Sequence, residues 1–241
     1  MNTALILSGG VGSRIRSDTP KQYISVAGRM IVTRCIEAVL QCKDIDALQI
    51  VADDAWQEAI KKEAAEAAGE KFLRVFRGFS EPGANRQLSI YHGLCDIASY
   101  EDPKSPEKAV VIVHDAARPG VSAQTLHAVI SACQDMDGAM PALPMKDTVY
   151  ESADGRRISK LLDRGKIYAG QAPEAFRLFP YLEANKALLP EKILTINGAS
   201  EPAILAGMTV AMLPGDEANF KITTQEDLKR YIEAVTRMEK A

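Results

Sequence analysis

The chain is poor in the residues that build metal and disulfide sites. Its 241 residues include three histidines and four cysteines, Cys35, Cys42, Cys95 and Cys133, and no two cysteines form a close CxxC pair. The usual ligand spacings of a structural zinc site are therefore missing. Cys35, Cys42 and Cys133 fall in helix-like segments, where a thiol packs as a small apolar group. An excess of one charge is also lacking. The 29 Lys and Arg against 32 Asp and Glu leave a formal net charge of −3, which gives no basic footprint for nucleic acid or an anionic membrane. No apolar stretch approaches the length of a membrane span. The N-terminal MNTALILSGG has neither the basic region nor the long apolar core of a signal peptide. These absences predict a cytoplasmic protein with no nucleic-acid or membrane partner. Hydrophobic residues at 46% and charged residues at 25% match a packed globular chain, and the length suits one domain spanning residues 1–241. Any phosphate binding must then come from locally placed cations and backbone amides.

What is present is an alternation of two periodicities. Short apolar runs at Thr3–Leu7, Ala47–Ala52, Phe72–Arg77 and Ala109–Val113 read as buried strands. Between and after them, Met30–Gln41, Trp56–Ala68, Arg86–Ile97 and Ser122–Asp135 have helical spacing. Strands alternating with helices predict an α/β fold, with a mostly parallel, Rossmann-like sheet and helices on both faces. After Gly138 the pattern changes. Ala139–Pro144 reads as a strand, Phe176–Leu188 as a helix, Thr209–Leu213 as a late strand and Gln225–Lys240 as a charged C-terminal helix. Thr148–Leu162, TVYESADGRRISKLL, has an Asp154-Gly155 turn and reads as a hairpin. With few core partners, it is expected to project as a β-arm at about 145–165.

The first strand runs directly into Leu7-Ser8-Gly9-Gly10-Val11-Gly12-Ser13-Arg14, and Lys21 follows in Thr19-Pro20-Lys21-Gln22-Tyr23. Glycines let backbone N–H groups approach a phosphate, and two cations flanking such a turn suit a triphosphate. A Walker A loop is excluded because its lysine is missing. A GxGxxG fingerprint is excluded because Ile15 stands where the third glycine belongs. A Gly-rich turn alone would equally fit a structural strand-to-helix connection. Arg14 and Pro20-Lys21 tilt the reading toward nucleotide.

Six motifs in order carry a family resemblance: SGGVGSR…PKQY, ANRQLSIYHGL, VIVHDAARP, MKDTV, DRGKIYAGQAPEAF and GDEANFKITTQEDL. From Ala4 to Leu228 the chain resembles the cytidylyltransferases that act on methylerythritol 4-phosphate and on ribitol 5-phosphate. The resemblance implies an enzyme, a nucleotidyltransferase that moves CMP from CTP to a small phosphorylated sugar alcohol and releases pyrophosphate. It implies catalytic roles for Arg14, Lys21 and Lys221, which would stabilise charge at the α-phosphate. Ser8, Gly9, Gly10, Gly12, Gly83, Ala84, Arg86 and Ser89 would hold the nucleotide. Asp115, Arg118, Arg164 and Thr195 would serve the acceptor, with Arg164 reaching across a homodimer from the projecting arm. Magnesium is the implied cofactor, bound with CTP, and Asp115 and Asp216 are the candidate carboxylates beside it. Lys146 and Asp147 would shape the base of the arm. His114 is assigned no chemistry and reads as a packed, hydrogen-bonded side chain. Taken singly, Asp115 would also fit a helix cap, and Lys221 a surface strand.

Two departures fall on the acceptor side. The family usually has Thr-Pro-Gln where this chain has Ala172-Pro173-Glu174, and an acidic residue or pair is absent from Thr195-Ile196-Asn197-Gly198-Ala199-Ser200. One lost hydroxyl contact is worth on the order of 1 kcal/mol, too little to exclude either acceptor. Glu151-Ser152 and Ile167–Gln171 lean toward the ribitol branch. The expected acceptor is therefore an alditol phosphate such as ribitol 5-phosphate, with methylerythritol phosphate as the alternative. A nucleotide-binding protein without transferase activity is the competing class, and the set Arg14, Lys21, Asp115 and Lys221 argues against it.

Overall fold

The computed structural model describes residues 1–10, 19–101 and 105–238. The apolar run at the start forms β1 (Asn2–Leu7). A 3-10 turn at Lys21–Tyr23 precedes a small hairpin of β2 (Ser25–Val26) and β3 (Arg29–Met30). Helix α1 (Ile31–Leu40) leads to β4 (Ala47–Val51), all of whose residues are buried. Asp53 caps α2 (Asp54–Val75) by accepting from Ala55 N, as N-cap carboxylates do. This helix is interrupted at Gly69, whose φ is +56°. Strand β5 (Phe76–Ser80) and helix α3 (Arg86–Tyr100), capped by Asn85, follow.

The second half starts with β6 (Val110–Asp115), again buried throughout, and α4 (Ala123–Ala132), capped by Ser122. Then come β7 (Gly138–Pro144) and the arm hairpin of β8 (Tyr150–Glu151) and β9 (Lys160–Leu161). Strands β10 (Tyr168–Gly170) and β11 (Glu174–Arg177) return to the main sheet. Helices α5 (Leu178–Lys186) and α6 (Ser200–Leu205), strand β12 (Val210–Pro214) and helix α7 (Gln225–Met238) complete the order.

Eight strands form one sheet in the order β10-β7-β11-β6-β1-β4-β5, with β12 joined to β7 off that path. The pairs β6–β1, β1–β4, β4–β5 and β12–β7 are parallel, whereas β10 and β11 run antiparallel to their neighbours. Side-chain alternation along β1 feeds two separate cores. Ala4 and Ile6 pack with α1, α2 and α4 side chains such as Ile36, Phe72 and Leu126. Leu5 packs on the opposite face with Leu94, Ile97 and Tyr181 of α3 and α5. Helices therefore cover both faces, as expected of an α/β fold. Helix α7 closes a third cluster, in which Leu228, Tyr231 and Val235 meet Val26, Ile31 and Ile222.

Two elements differ from the sequence reading. Phe72–Val75 belong to α2, and the strand begins only at Phe76. Phe72 is fully buried against the helical layer, so its apolar character reflects that packing. Glu174–Arg177 form a strand, so the helix expected from Phe176 begins only at Leu178, because Ala175 and Phe176 pair with Ile112 and Val111 of β6. The arm follows its expected turn: Tyr150 pairs with Leu161, Gly155 has φ +68°, and Asp154 accepts from Arg156 N and Arg157 N. Every residue from 150 to 161 is exposed. Among the described residues no helix is long and apolar enough to cross a membrane.

Gly120 fixes how the turn after β6 meets the segment before α7. A Cβ there would lie 2.5 Å from Ala218 O, a backbone atom that cannot swing aside. Gly120→Ala is expected to destabilise the fold by about 1–3 kcal/mol through overpacking. The effect should appear as a lower urea midpoint with an unchanged denaturant slope; an unchanged midpoint would contradict this packing.

Candidate active site

Parallel pairing aligns three strand ends. Leu7 lies opposite Val51 on one side and Asp115 on the other. All three line a cavity of about 370 Å³, at the carboxyl edge where open parallel sheets bind ligands. Lys21, Arg86 and Lys221 line the same cavity. They come from the early 3-10 turn, the first turn of α3 and the segment before α7, so only the completed fold assembles them.

Asp115 organises the charge. Arg86 donates to its Oδ1 from Nε at 3.1 Å and Nη2 at 3.0 Å, and Lys221 Nζ lies 2.8 Å from Oδ2. Arg118 Nε is 3.8 Å from Oδ2, while its Nη1 donates to Asn219 O at 2.7 Å. Burial works against ionising Asp115, but Arg86 and Lys221 outweigh it and hold the carboxyl well below the usual range. A second carboxylate, Glu174, is 8% exposed and lies 4.0 Å from Arg86 Nη2. Burial pushes it up to about 7, against the pull of Arg86. Sequence reasoning recorded Glu174 only as a departure, because burial at that strand is invisible in the residue type. His114 is fully buried, and its Nε2 lies 3.0 Å from Arg118 O. That carbonyl can only accept, so the proton is assigned to Nε2. Burial lowers His114 to about 4, leaving it a neutral packing group.

Most of the residues expected to hold the nucleotide line the same cavity. Gly9, Gly10, Gly83, Ala84, Arg86 and Ser89 line the cavity. A Cβ on Gly9 would stand 2.7 Å from the Pro82 ring, so only glycine lets these two loops approach. Ser89 Oγ accepts from Gly83 N at 2.9 Å and donates to Asn85 O at 2.8 Å, which fixes the loop to α3. Ser8 is placed differently from its expected nucleotide contact. Its N–H donates to Val51 O, and its carbonyl accepts from Gln22 Nε2 and Tyr23 OH. Both backbone groups are thus engaged within the protein, and Ser8 is not on the cavity wall. Arg14 and Gly12 lie outside the described residues.

The remaining acceptor candidates are not brought together with this cluster. Arg164 is exposed at the arm, with Nη1 donating to Lys146 O at 2.7 Å, and Lys146 pairs with Glu217. Thr195 is exposed and donates to Lys192 O at 2.8 Å. Asp216 accepts from Ala218 N at 2.8 Å and does not line the cavity. Among the described residues no group of three His, Cys, Asp or Glu side chains could hold a metal ion. Both carboxylate oxygens of Asp115 meet cations, Oδ1 from Arg86 and Oδ2 from Lys221.

Glu174 and His114 give opposite pH signatures. Glu174 rises from an ordinary 4.5 to about 7, so it contributes stability below pH 4.5 that is lost as pH climbs to 7. His114 falls from 6.5 to about 4, so it contributes stability above pH 6.5 that is lost as pH drops to 4. Each amounts to roughly 3 kcal/mol, and between pH 4.5 and 6.5 they oppose one another. Glu174→Gln is expected to expose the His114 contribution: stability should climb from pH 4 to 6.5 more steeply than in the wild type. Urea midpoints across that range decide it, and parallel profiles would refute the raised titration of Glu174.

A family model for IspD, described as 2-C-methyl-D-erythritol 4-phosphate cytidylyltransferase, matches residues 3–237. The 2-C-methyl-D-erythritol 4-phosphate cytidylyltransferase of Rubrobacter xylanophilus is 34% identical over 229 residues, covering 93% of this chain and 90% of that protein. The bifunctional enzyme IspD/IspF of a Bradyrhizobium species is 32% identical over 227 residues, or 94% of this chain. The chain spans about half the length of such bifunctional relatives, 54% in that case. In structure, the 4-diphosphocytidyl-2C-methyl-D-erythritol synthase of Anaerococcus prevotii superposes with a TM-score of 0.78 at 26% identity, covering 98% of this chain and 96% of that one. The Rubrobacter and Anaerococcus proteins carry the methylerythritol name, and the expected preference for ribitol 5-phosphate finds no support among these relatives. The features that favoured ribitol have structural explanations: Glu151 pairs within the exposed arm, and Tyr168–Gly170 pair with β7. On the match to nearly its whole length, the chain belongs to the IspD family of cytidylyltransferases.

Proposed function

We propose that the protein transfers CMP from CTP to 2-C-methyl-D-erythritol 4-phosphate and releases pyrophosphate. The observation that carries the reading is the convergence of Lys21, Arg86 and Lys221 on one cavity at the ends of β1, β4 and β6. An oxygen of the acceptor's phosphate attacks the α-phosphorus of CTP in line. A new P–O bond forms there as the bond to the β-phosphoryl oxygen breaks, and the electron pair leaves with pyrophosphate. The acceptor is already an anionic nucleophile and needs no strong base, which fits a buried, neutral His114 with no role. Negative charge gathers on the nonbridging oxygens of the α-phosphate, where Lys21 and Lys221 act on the transition state. Asp115 holds Lys221 and Arg86 in place before substrate arrives. Magnesium bound with CTP would screen charge on the triphosphate, and Asp115, on the cavity lining, is the carboxylate that would face it.

Arg164 belongs to a site completed by a second copy of the chain. It sits at the arm, away from its own cavity, and the arm exposes Tyr150, Ile158 and Leu161 by 52–67%. Packing between two arms would cover those side chains and carry Arg164 to the partner's acceptor phosphate.

Pyrophosphate release measured with CTP and either 2-C-methyl-D-erythritol 4-phosphate or ribitol 5-phosphate is expected to show turnover with the first and little with the second. Turnover with ribitol 5-phosphate alone would replace the acceptor, and none with either would remove the activity. Lys21→Ala and Lys221→Ala should each lower kcat by roughly 10²–10³-fold; Lys221→Ala also removes a partner of the buried Asp115, so its melting temperature should fall further than that of Lys21→Ala and its kcat is read well below that temperature. Near-normal kcat in both would sink the assigned chemistry.

A further inference from the structure

Gln22 stands between the two halves of the nucleotide cradle and does something the motif around it does not announce. The side chain is 4% exposed and lines the cavity. Its Nε2 donates to Ser8 O at 2.6 Å and to Gly10 O at 2.6 Å. A side-chain amide nitrogen carries two hydrogens, and here both go to carbonyls on either side of Gly9. The neighbouring Tyr23 adds a third donor, its OH reaching Ser8 O at 2.7 Å. Tyr23 is itself fixed by stacking on Trp56, with ring centroids 4.2 Å apart. Both residues sit on the 3-10 turn that begins with Lys21.

Resting on the reading of this cavity as the CTP site, we propose that Gln22 is a positioning residue that locks the Gly-rich turn to the lysine turn, so that the phosphate-facing backbone and the Lys21 ammonium hold one fixed spacing. The orientation is forced. Turning the amide over would aim Oε1 at two carbonyl oxygens, which only accept. The two bonds span Gly9, the residue whose missing Cβ admits Pro82, so an otherwise pliant turn acquires a single shape. A turn free to move would leave Lys21 displaced from the α-phosphate, and a displacement near 1 Å costs on the order of 10²-fold in rate.

The test keeps shape and reverses polarity. In Gln22→Glu the two amide donors are lost: an ionised carboxylate has none for the two carbonyls, and a protonated one has a single O–H. Steady-state assays with CTP and 2-C-methyl-D-erythritol 4-phosphate should show kcat lowered by about 10–100-fold and KM for CTP raised. KM for the acceptor, bound on the Asp115 and Arg118 side, should stay within about twofold. Gln22→Ala repeats the measurement should the glutamate variant fail to fold. In a Lys21→Ala background the same change at Gln22 should cost less than about threefold, because the lysine it aligns is gone. Unaltered kcat and CTP KM would overturn the proposal. So would losses that raise acceptor KM equally or simply add to those of Lys21→Ala. Calorimetric titration with CTP alone keeps the inference separable from the catalytic reading: a wild type that releases no pyrophosphate fails the latter, while CTP affinity unchanged by Gln22→Glu fails the former.

Discussion

A single buried carboxylate, Asp115, sets the terms for the rest of the site. Placing a negative charge at the end of a fully buried strand is costly unless cations meet it there. Arg86 from α3 and Lys221 from the segment before α7 do so, at 3.0 Å and 2.8 Å. Removing either partner from such a cluster leaves a charge uncompensated, which is more damaging than never burying the pair. The cluster therefore acts as a keystone between distant stretches of chain. It also aims a lysine at the cavity before any ligand is bound, which is the preorganisation that phosphoryl chemistry rewards.

The two walls of the cavity are held by different means. Around the two glycine loops the work falls to backbone and amides: Ser89 ties the Gly83 loop, and Gln22 and Tyr23 tie the Ser8–Gly10 turn. Around Asp115 it falls to side-chain charge, with Arg118, behind the cavity lining, anchored to Asn219 and Asn219 Nδ2 donating to Ala172 O at 2.7 Å. A backbone-lined wall reads shape and hydrogen-bond pattern. A charged wall reads phosphate. That division suits a reaction joining a defined base to a small phosphorylated acceptor.

The parallel core was legible in the sequence because ALIL, ALQIV and VVIV are apolar on both faces, which only a strand covered on both sides requires. The order of the motifs was legible too, and with it the family. Strand β11 was not, because four residues, Glu174–Arg177, run without a break into α5 and share its apolar character. The end of α2 was misread for the converse reason: Gly69 breaks the helix and makes Phe72–Val75 look like a fresh element. Among site residues, cations at motif positions could be named, but hydrogen bonds could not. Nothing in Pro20-Lys21-Gln22-Tyr23 tells that Gln22 would face two carbonyls, and nothing in Ala172-Pro173-Glu174 tells that the carboxyl would be buried beside Arg86. The acceptor was not legible: Glu151-Ser152 and Ile167–Gln171 leaned toward the ribitol branch, yet Glu151 pairs within the arm and Tyr168–Gly170 pair with β7, and the named relatives favour the methylerythritol alternative.

Glu174 shows how such a departure can be accommodated without a change of chemistry. Arg86, Arg118 and Lys221 surround one fixed negative charge on Asp115, leaving the site cationic. An ionised Glu174 would cut that excess, yet burial already favours its protonated form up to about pH 7. Phosphates bound in the cavity, as proposed, would add negative charge nearby and raise the carboxyl further. Protonated, Glu174 is close in shape to the glutamine usual at this position, and the cationic character set by Arg86, Arg118 and Lys221 is left intact.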